Sequence, residues 1–162
     1  MENNYSNILV AVDGSYLAEW AFENAVSIAK KNNGSHLFIV SVVDKTISST
    51  NSLGNNYITK HLEFAEKLVN SYATAAKKHR IAATGIAVVG IPKIVITEDI
   101  LEKYNIDLIV CGSSGLTGLK RVLIGSVSEG IVRYANCDVI VIKHYSIPEN
   151  YTAKIISELS DK

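Results

Sequence analysis

The chain has 162 residues, 48% hydrophobic and 20% charged, a length and balance that suit one soluble globular domain with a buried core and leave no room for a second. Sixteen Lys and Arg balance sixteen Asp and Glu, so the formal net charge is zero and no basic stripe advertises nucleic acid or an anionic membrane. Any anion site has to be local.

The N-terminal MENNYSNILVAVD lacks a basic segment leading into an apolar one, and no apolar run reaches the ~18 residues of a membrane-spanning helix, so a cytoplasmic protein is expected. The first predicted strand is ILVAV at 8–12, followed by a helix with Ser15 as N-cap and Ala18, Ala21, Phe22, Ala25, Ile28 and Ala29 on one stripe. A second strand, LFIVSVV at 37–43, leads into DKTISSTNSLGNN at 44–56, which is polar, turn-rich and predicted to be a mobile loop. A second helix over about 57–80 repeats Leu62, Ala65, Leu68, Val69, Tyr72 and Ala76. IAATGIAVV at 81–89 is the weakest strand; a third helix then opens at Pro92 and runs to about Tyr104. DLIVC at 107–111, a helix over about 127–135 and VIVIK at 139–143 complete the alternation. Beyond them Pro148 breaks the chain, and a short helix from Thr152 would bury Ile155, Ile156 and Leu159. The domain is expected to span 1–144, with 145–162 as a C-terminal extension.

Strict alternation of strands and helices predicts an α/β fold, an open parallel sheet with helices on both faces. Ligands in such sheets sit outside the carboxyl ends of the strands, which here end in Asp13-Gly14-Ser15, Val42-Val43-Asp44 and Cys111-Gly112. From the last of these runs CGSSGLTGLKRVLIGSVSEG, with five glycines and four serines in residues 111–130. Glycine permits positive φ and lets a phosphate approach backbone amides, and the run Ser126-Val127-Ser128-Glu129 has the S-x-x-E form of a capping box. A helix N-terminus would then open into the loop with unpaired N–H groups. On these features alone the run is either a phosphate cradle or a strand-to-helix connection, and Ser126 either caps, binds, or does both. Asp13 either accepts from ligand hydroxyls and helps to place a cation, or bonds its own backbone in a turn.

Neither GxxxxGK[ST] nor a GxGxxG after the first strand is present. The spacing is instead G-x-x-G, nine residues, then G-S: Gly112, Gly115, Gly125 and Ser126. With NILVAVDGS, GIPKIVITEDI, DLIVCGSSG and GSVSEGIVRYANCDVIVIK, nearly the whole chain resembles the universal stress protein family, specifically its ATP-binding branch. That resemblance implies five strands in the order 3-2-1-4-5, ATP as ligand with Mg or Mn as its cation, and a homodimer. Carried over by position, Ala11, Val12, Asp13 and Val42 would surround base and ribose. Gly112, Ser114 and Gly115 would approach ribose and phosphates, and Gly125, Ser126, Val127 and Ser128 would hold the phosphate chain. Two positions depart from the family pattern: Cys111 replaces a frequent methionine beside the base, and Asp138 a frequent proline before the last strand.

Lys120 and Arg121 fall in the spacer; they either reach a γ-phosphate or lie on a solvated turn, and they are not taken as ligands. Cys111 and Cys137 lack CxxC spacing and read as small buried hydrophobes; His36, His61, His79 and His144 suggest no catalytic or metal pairing. With a cradle but no evident water-positioning residue, the expected function is a regulatory ATP-binding stress protein with at most slow hydrolysis. The alternatives are a nucleotide-independent dimeric stress protein and a true ATPase. Residues 139–143 at the sheet edge would pair antiparallel between two copies, unless the extension from Tyr145 covers that edge or embraces the partner.

Overall fold

The computed structural model describes residues 4–48, 54–116 and 124–160. Five parallel strands form one sheet in the order β3-β2-β1-β4-β5. They are β1 (Asn7–Ala11), β2 (His36–Asp44), β3 (Ala82–Gly90), β4 (Leu108–Gly112) and β5 (Asp138–Ile142). Every predicted strand is present, shifted by about one residue. β1 pairs with β2 from Asn7↔His36 to Ala11↔Val40 and with β4 from Ile8↔Leu108 to Val10↔Val110. The strand order therefore reverses between β1 and β4, the place where a parallel sheet leaves a crevice.

The apolar runs are continuous because both faces of the sheet are covered. Ile8, Val10, Leu37, Ile39, Leu108 and Val110 face one core with α1 (Tyr16–Lys31) and α3 (Gly54–Lys78). Leu9, Phe38, Val40, Ile109 and Cys111 face the other, with Val95, Ile96, Ile100 and Ile131. Period-two alternation thus assigns neighbouring apolar residues to different cores. Ser15 caps α1, its Oγ accepting from Ala18 N at 3.2 Å. Tyr72 on α3 is fully buried against Phe22, ring centroids 4.6 Å apart.

Three expectations need correction. The segment after β2 is not wholly a loop: α2 (Lys45–Ser48) follows the strand directly, with Asp44 Oδ1 accepting from Thr46 N at 2.8 Å, and α3 starts at Gly54. Residues 49–53 lie outside the described residues. The helix opened by Pro92 is three pieces, α4 (Pro92–Ile94), a π-helical stretch (Val95–Ile100) and α5 (Leu101–Lys103), with Thr97 Oγ1 donating to Lys93 O at 2.7 Å inside it. The third correction concerns the start of α6 (Ser126–Tyr134) and is taken up with the site.

After β5 a 3-10 turn (His144–Ser146) leads to α7 (Lys154–Ser160), whose Ile155, Ile156 and Leu159 pack against the α1/α3 core as the sequence predicts. The extension does not run along β5; α7 packs on α3 and α1. Both sheet edges, β3 and β5, are left without a neighbouring strand among the described residues.

Candidate nucleotide site

The ends of β1 and β4 are tied together by one side chain. Asp13 Oδ1 accepts from Ser15 N at 3.0 Å, and Asp13 Oδ2 accepts from Leu116 N at 3.0 Å. The first bond is the Asx turn anticipated for Asp-Gly-Ser, with Gly14 at φ 85°; the second reaches across to the glycine-rich run. Each carboxylate oxygen keeps a further lone pair, so neither bond exhausts Asp13 as an acceptor.

The run itself is folded back on its own ends. Gly125 N donates to Ser113 O at 2.7 Å, Ser113 N donates to Ile142 O at 2.8 Å, and Ser128 Oγ donates to Gly112 O at 2.7 Å. These bonds bring the Gly112–Gly115 turn and the Gly125–Ser128 helix start together. Residues 117–123, which include Lys120 and Arg121, lie outside the described residues. The close packing explains Gly112 and Gly115 by their missing Cβ rather than by positive φ, which among the described glycines occurs only at Gly14 and Gly34. A Cβ on Gly115 would overlap Asp13 Oδ2, so a carboxylate there and a side chain at 115 exclude one another.

The anticipated capping box is not formed. Gly125 is the N-cap, at φ −66° and ψ 155°, its carbonyl accepting from Glu129 N at 2.9 Å, and it makes no side-chain cap. Ser126 is therefore the first helical residue, one position too late to cap, and Glu129 turns instead to Arg133 at 3.0 Å. The first amides of α6, Ser126 to Ser128, have no intrahelical acceptor, and the bonds of Gly125 N to Ser113 O and Ser128 Oγ to Gly112 O hold them beside the end of β4. Ser126 is exposed and its hydroxyl is not committed to the cap.

Apolar candidates divide by strand parity. Ala11, Val42 and Val127 are half-buried against the second core, on the face that also holds Cys111. Val12 belongs to the first core and is 4% exposed, so it can meet a ligand on the opposite face only through its backbone. Burial pushes the Cys111 thiol up to about 11, opposed by a hydrogen bond with Ser128; it is an apolar wall rather than a nucleophile. Cys137 is only partly buried, short of the buried position expected for it.

Two contributors escaped the sequence reading. Ser113 joins the two halves of the run through its backbone, and His144 Nε2 lies 3.4 Å from the buried Ser114 Oγ. The signal for His144 is topological: with β5 beside β4, the residue that follows VIVIK has to emerge next to the loop that follows β4. Among the described residues no group of three His, Cys, Asp or Glu side chains is placed to hold a metal ion, and no helix is long and apolar enough to cross a membrane.

Comparison with known proteins gives the same fold. Residues 4–143 match the universal stress protein family. A Staphylococcus haemolyticus protein named as a universal stress protein is 40% identical over 153 residues, covering 93% of this chain and 92% of the relative. Among solved structures, hypothetical protein MJ0577 superposes with a TM-score of 0.77 at 30% identity, covering 87% of this chain and 97% of the other. UspA from Lactobacillus plantarum does so with 0.68 at 32%, covering 88% and 100%. A universal stress protein solved in complex with cAMP does so with 0.59 at 27%, covering 87% and 98%. The chain belongs to the universal stress protein family.

Proposed function

We propose that this protein is a regulatory nucleotide-binding module that takes ATP, with Mg or Mn as the nucleotide's cation, in the crevice between β1 and β4. The observation that carries the reading is the pair of pinned turns: Gly125 N on Ser113 O and Leu116 N on Asp13 Oδ2 tie both the start of α6 and the Asp13 carboxylate to one glycine-rich turn. Amides favour phosphate and a carboxylate favours ribose hydroxyls or a phosphate-borne cation, so the two ends of the crevice suit the two ends of a nucleotide. Ala11 and Val42 would wall the base, and Val12 would contribute backbone. Gly112, Ser114 and Gly115 would approach ribose and phosphates. Ser126 and Val127 would present amides and the Ser126 hydroxyl to the phosphate chain, and Gly125, whose amide is spent on Ser113 O, would let phosphate approach a backbone without a Cβ. Ser128, whose hydroxyl is spent on Gly112 O, would serve through its amide and as a staple. Support also comes from the family relative solved with cAMP, an adenine nucleotide.

The cation would arrive with the phosphates and be met by Asp13, neutralising phosphate charge. The reading is of binding with at most slow hydrolysis, and of a homodimer joined through strand residues 139–143. Its test is mass spectrometry of small molecules released from the purified protein, followed by titration with ATP, AMP and cAMP. Bound ATP is expected; no adenine nucleotide binding at millimolar ligand sinks the reading, and preference for cAMP or AMP replaces ATP as the ligand.

A further inference from the structure

Outside the crevice, the most unusual group in the molecule is Glu19. It sits on α1 at 1% exposure, and its partners come from the far end of the chain: Oε1 accepts from Ile155 N and Oε2 from Ile156 N, each at 2.9 Å. Tyr72 OH adds a longer bond to Oε2 at 3.4 Å. A carboxylate buried between helices is costly unless bonded, and here the bonds are amides at the start of α7. The rest of the segment is held along the same helix. Trp20 Nε1 donates to Ser146 Oγ at 3.1 Å, Tyr16 OH donates to Tyr151 O, and the Tyr151 ring stands edge-on to Tyr16 and Trp20.

Ile155, Ile156 and Leu159 seat the end of the segment on the α1/α3 core, while its middle is held by single contacts. A cleft of about 370 Å³ lies under its middle, lined by Glu23, Pro148, Asn150, Tyr151, Thr152 and Lys154, and the Tyr151 hydroxyl is buried without a hydrogen-bond partner. A carboxylate key also suits reversible docking, since Glu19 is bonded by amides when the segment is seated and by water when it leaves. The root of the segment meets the glycine-rich run at Ser114 Oγ, 3.4 Å from His144 Nε2, directly after the Ser113 N to Ile142 O bond that extends the β4–β5 pairing.

We propose that residues 144–160 are a releasable strap, latched by Glu19, whose seating favours ligand binding in the crevice by holding Ser114 in place through His144. The second half of this proposal rests on the nucleotide reading above. A seated strap fixes His144 and through it Ser114 in the turn that the ligand must otherwise order, so seating lowers the cost of binding. Linkage then requires that ligand hold the strap by the same factor.

The experiment is hydrogen exchange of full-length protein with and without saturating ATP, repeated on Glu19→Gln, alongside ATP titration of both. Gln can accept one of the two amides but not both, so exchange over 153–160 should rise about tenfold or more while β1 and β4 stay protected. ATP affinity should fall about fivefold in the variant, and ATP should slow strap exchange in the wild type by a similar factor. The wild-type comparison needs no variant, so it stands even if Glu19→Gln folds poorly. Unaltered strap exchange in Glu19→Gln overturns the latch and leaves the nucleotide reading untouched. Failure of the wild type to bind ATP overturns the nucleotide reading and the link with it, and ATP binding that leaves strap exchange unchanged overturns the link alone.

Discussion

A Cβ on Gly115 would overlap Asp13 Oδ2, one on Gly112 would sit 3.0 Å from Leu17 Cγ, and one on Gly125 would, among the described residues, meet nothing nearer than Ser114 Cα at 3.5 Å. Packing among the described residues explains the first two glycines and not the third. Gly125 also has φ −66°, which any residue adopts. Gly125→Ala should therefore change unfolding free energy by less than ~1 kcal/mol, yet weaken ATP by about tenfold or more if phosphate packs against that backbone. Gly115→Ala should cost ~1–3 kcal/mol and disturb the loop without any ligand. Denaturant melts and ATP titrations of the two variants check this, and normal binding by Gly125→Ala would show that no ligand approaches there. At this scale the sequence revealed spacing but not contacts. Asp13 could be read as ligand or turn residue, and it does bond its own turn, but its bond to Leu116 N joins residues 103 apart that only the sheet brings together. The S-x-x-E run misled because cap register depends on where the preceding chain arrives, here at Gly125 through its bond to Ser113 O.

Elements were the most legible level, because a strand buried on both faces has to be an unbroken apolar run and a helix covering it has to carry a stripe. What stayed hidden was any residue whose burial depends on a distant element. Glu19 lies next to the α1 stripe without belonging to it, and it is interior because α7 and Tyr72 of α3 close over it. His36 is a milder case, since it opens β2 but bonds Thr84 Oγ1 at 2.8 Å on β3 and stacks on Phe38 at 4.4 Å. Partial burial, and then the nearby Lys77, pull its pKa below the usual histidine value. Because the folded state disfavours the charged ring, its contribution is fully present above about pH 6.5 and declines as pH falls from there through the lowered folded value. Urea unfolding at pH 7.5 and 5.5 should thus show a smaller acid loss for His36→Gln than for the wild type. Equal losses in the two proteins would mean that His36 does not titrate against the β2–β3 pairing.

For the molecule as a whole, the order β3-β2-β1-β4-β5 places the β1/β4 crevice inside the sheet and leaves two open edges among the described residues, of which β5 is the one proposed to pair. Beside β5, α6 exposes Val132 at 52% and Tyr134 at 58%, and Val139, Ile140 and Val141 are only half-buried. The strap leaves this edge alone and crosses to α1 and α3, so it neither blocks pairing there nor substitutes for it. If two copies pair antiparallel over 139–143, the two-fold axis passes through residue 141, and Val141 faces Val141 of the other copy. Val141→Lys then sets two ammonium groups opposite one another, an arrangement that destabilises a strand pair, while in a lone chain the long side chain can reach solvent from an edge strand. Light scattering should give twice the 17.6 kDa chain mass for the wild type and the single chain mass for Val141→Lys, with ATP affinity retained because the crevice lies between β1 and β4. A wild-type protein of single-chain mass rules out the pairing. A variant that stays dimeric moves the interface elsewhere, and the open edge of β3 is then the place to probe.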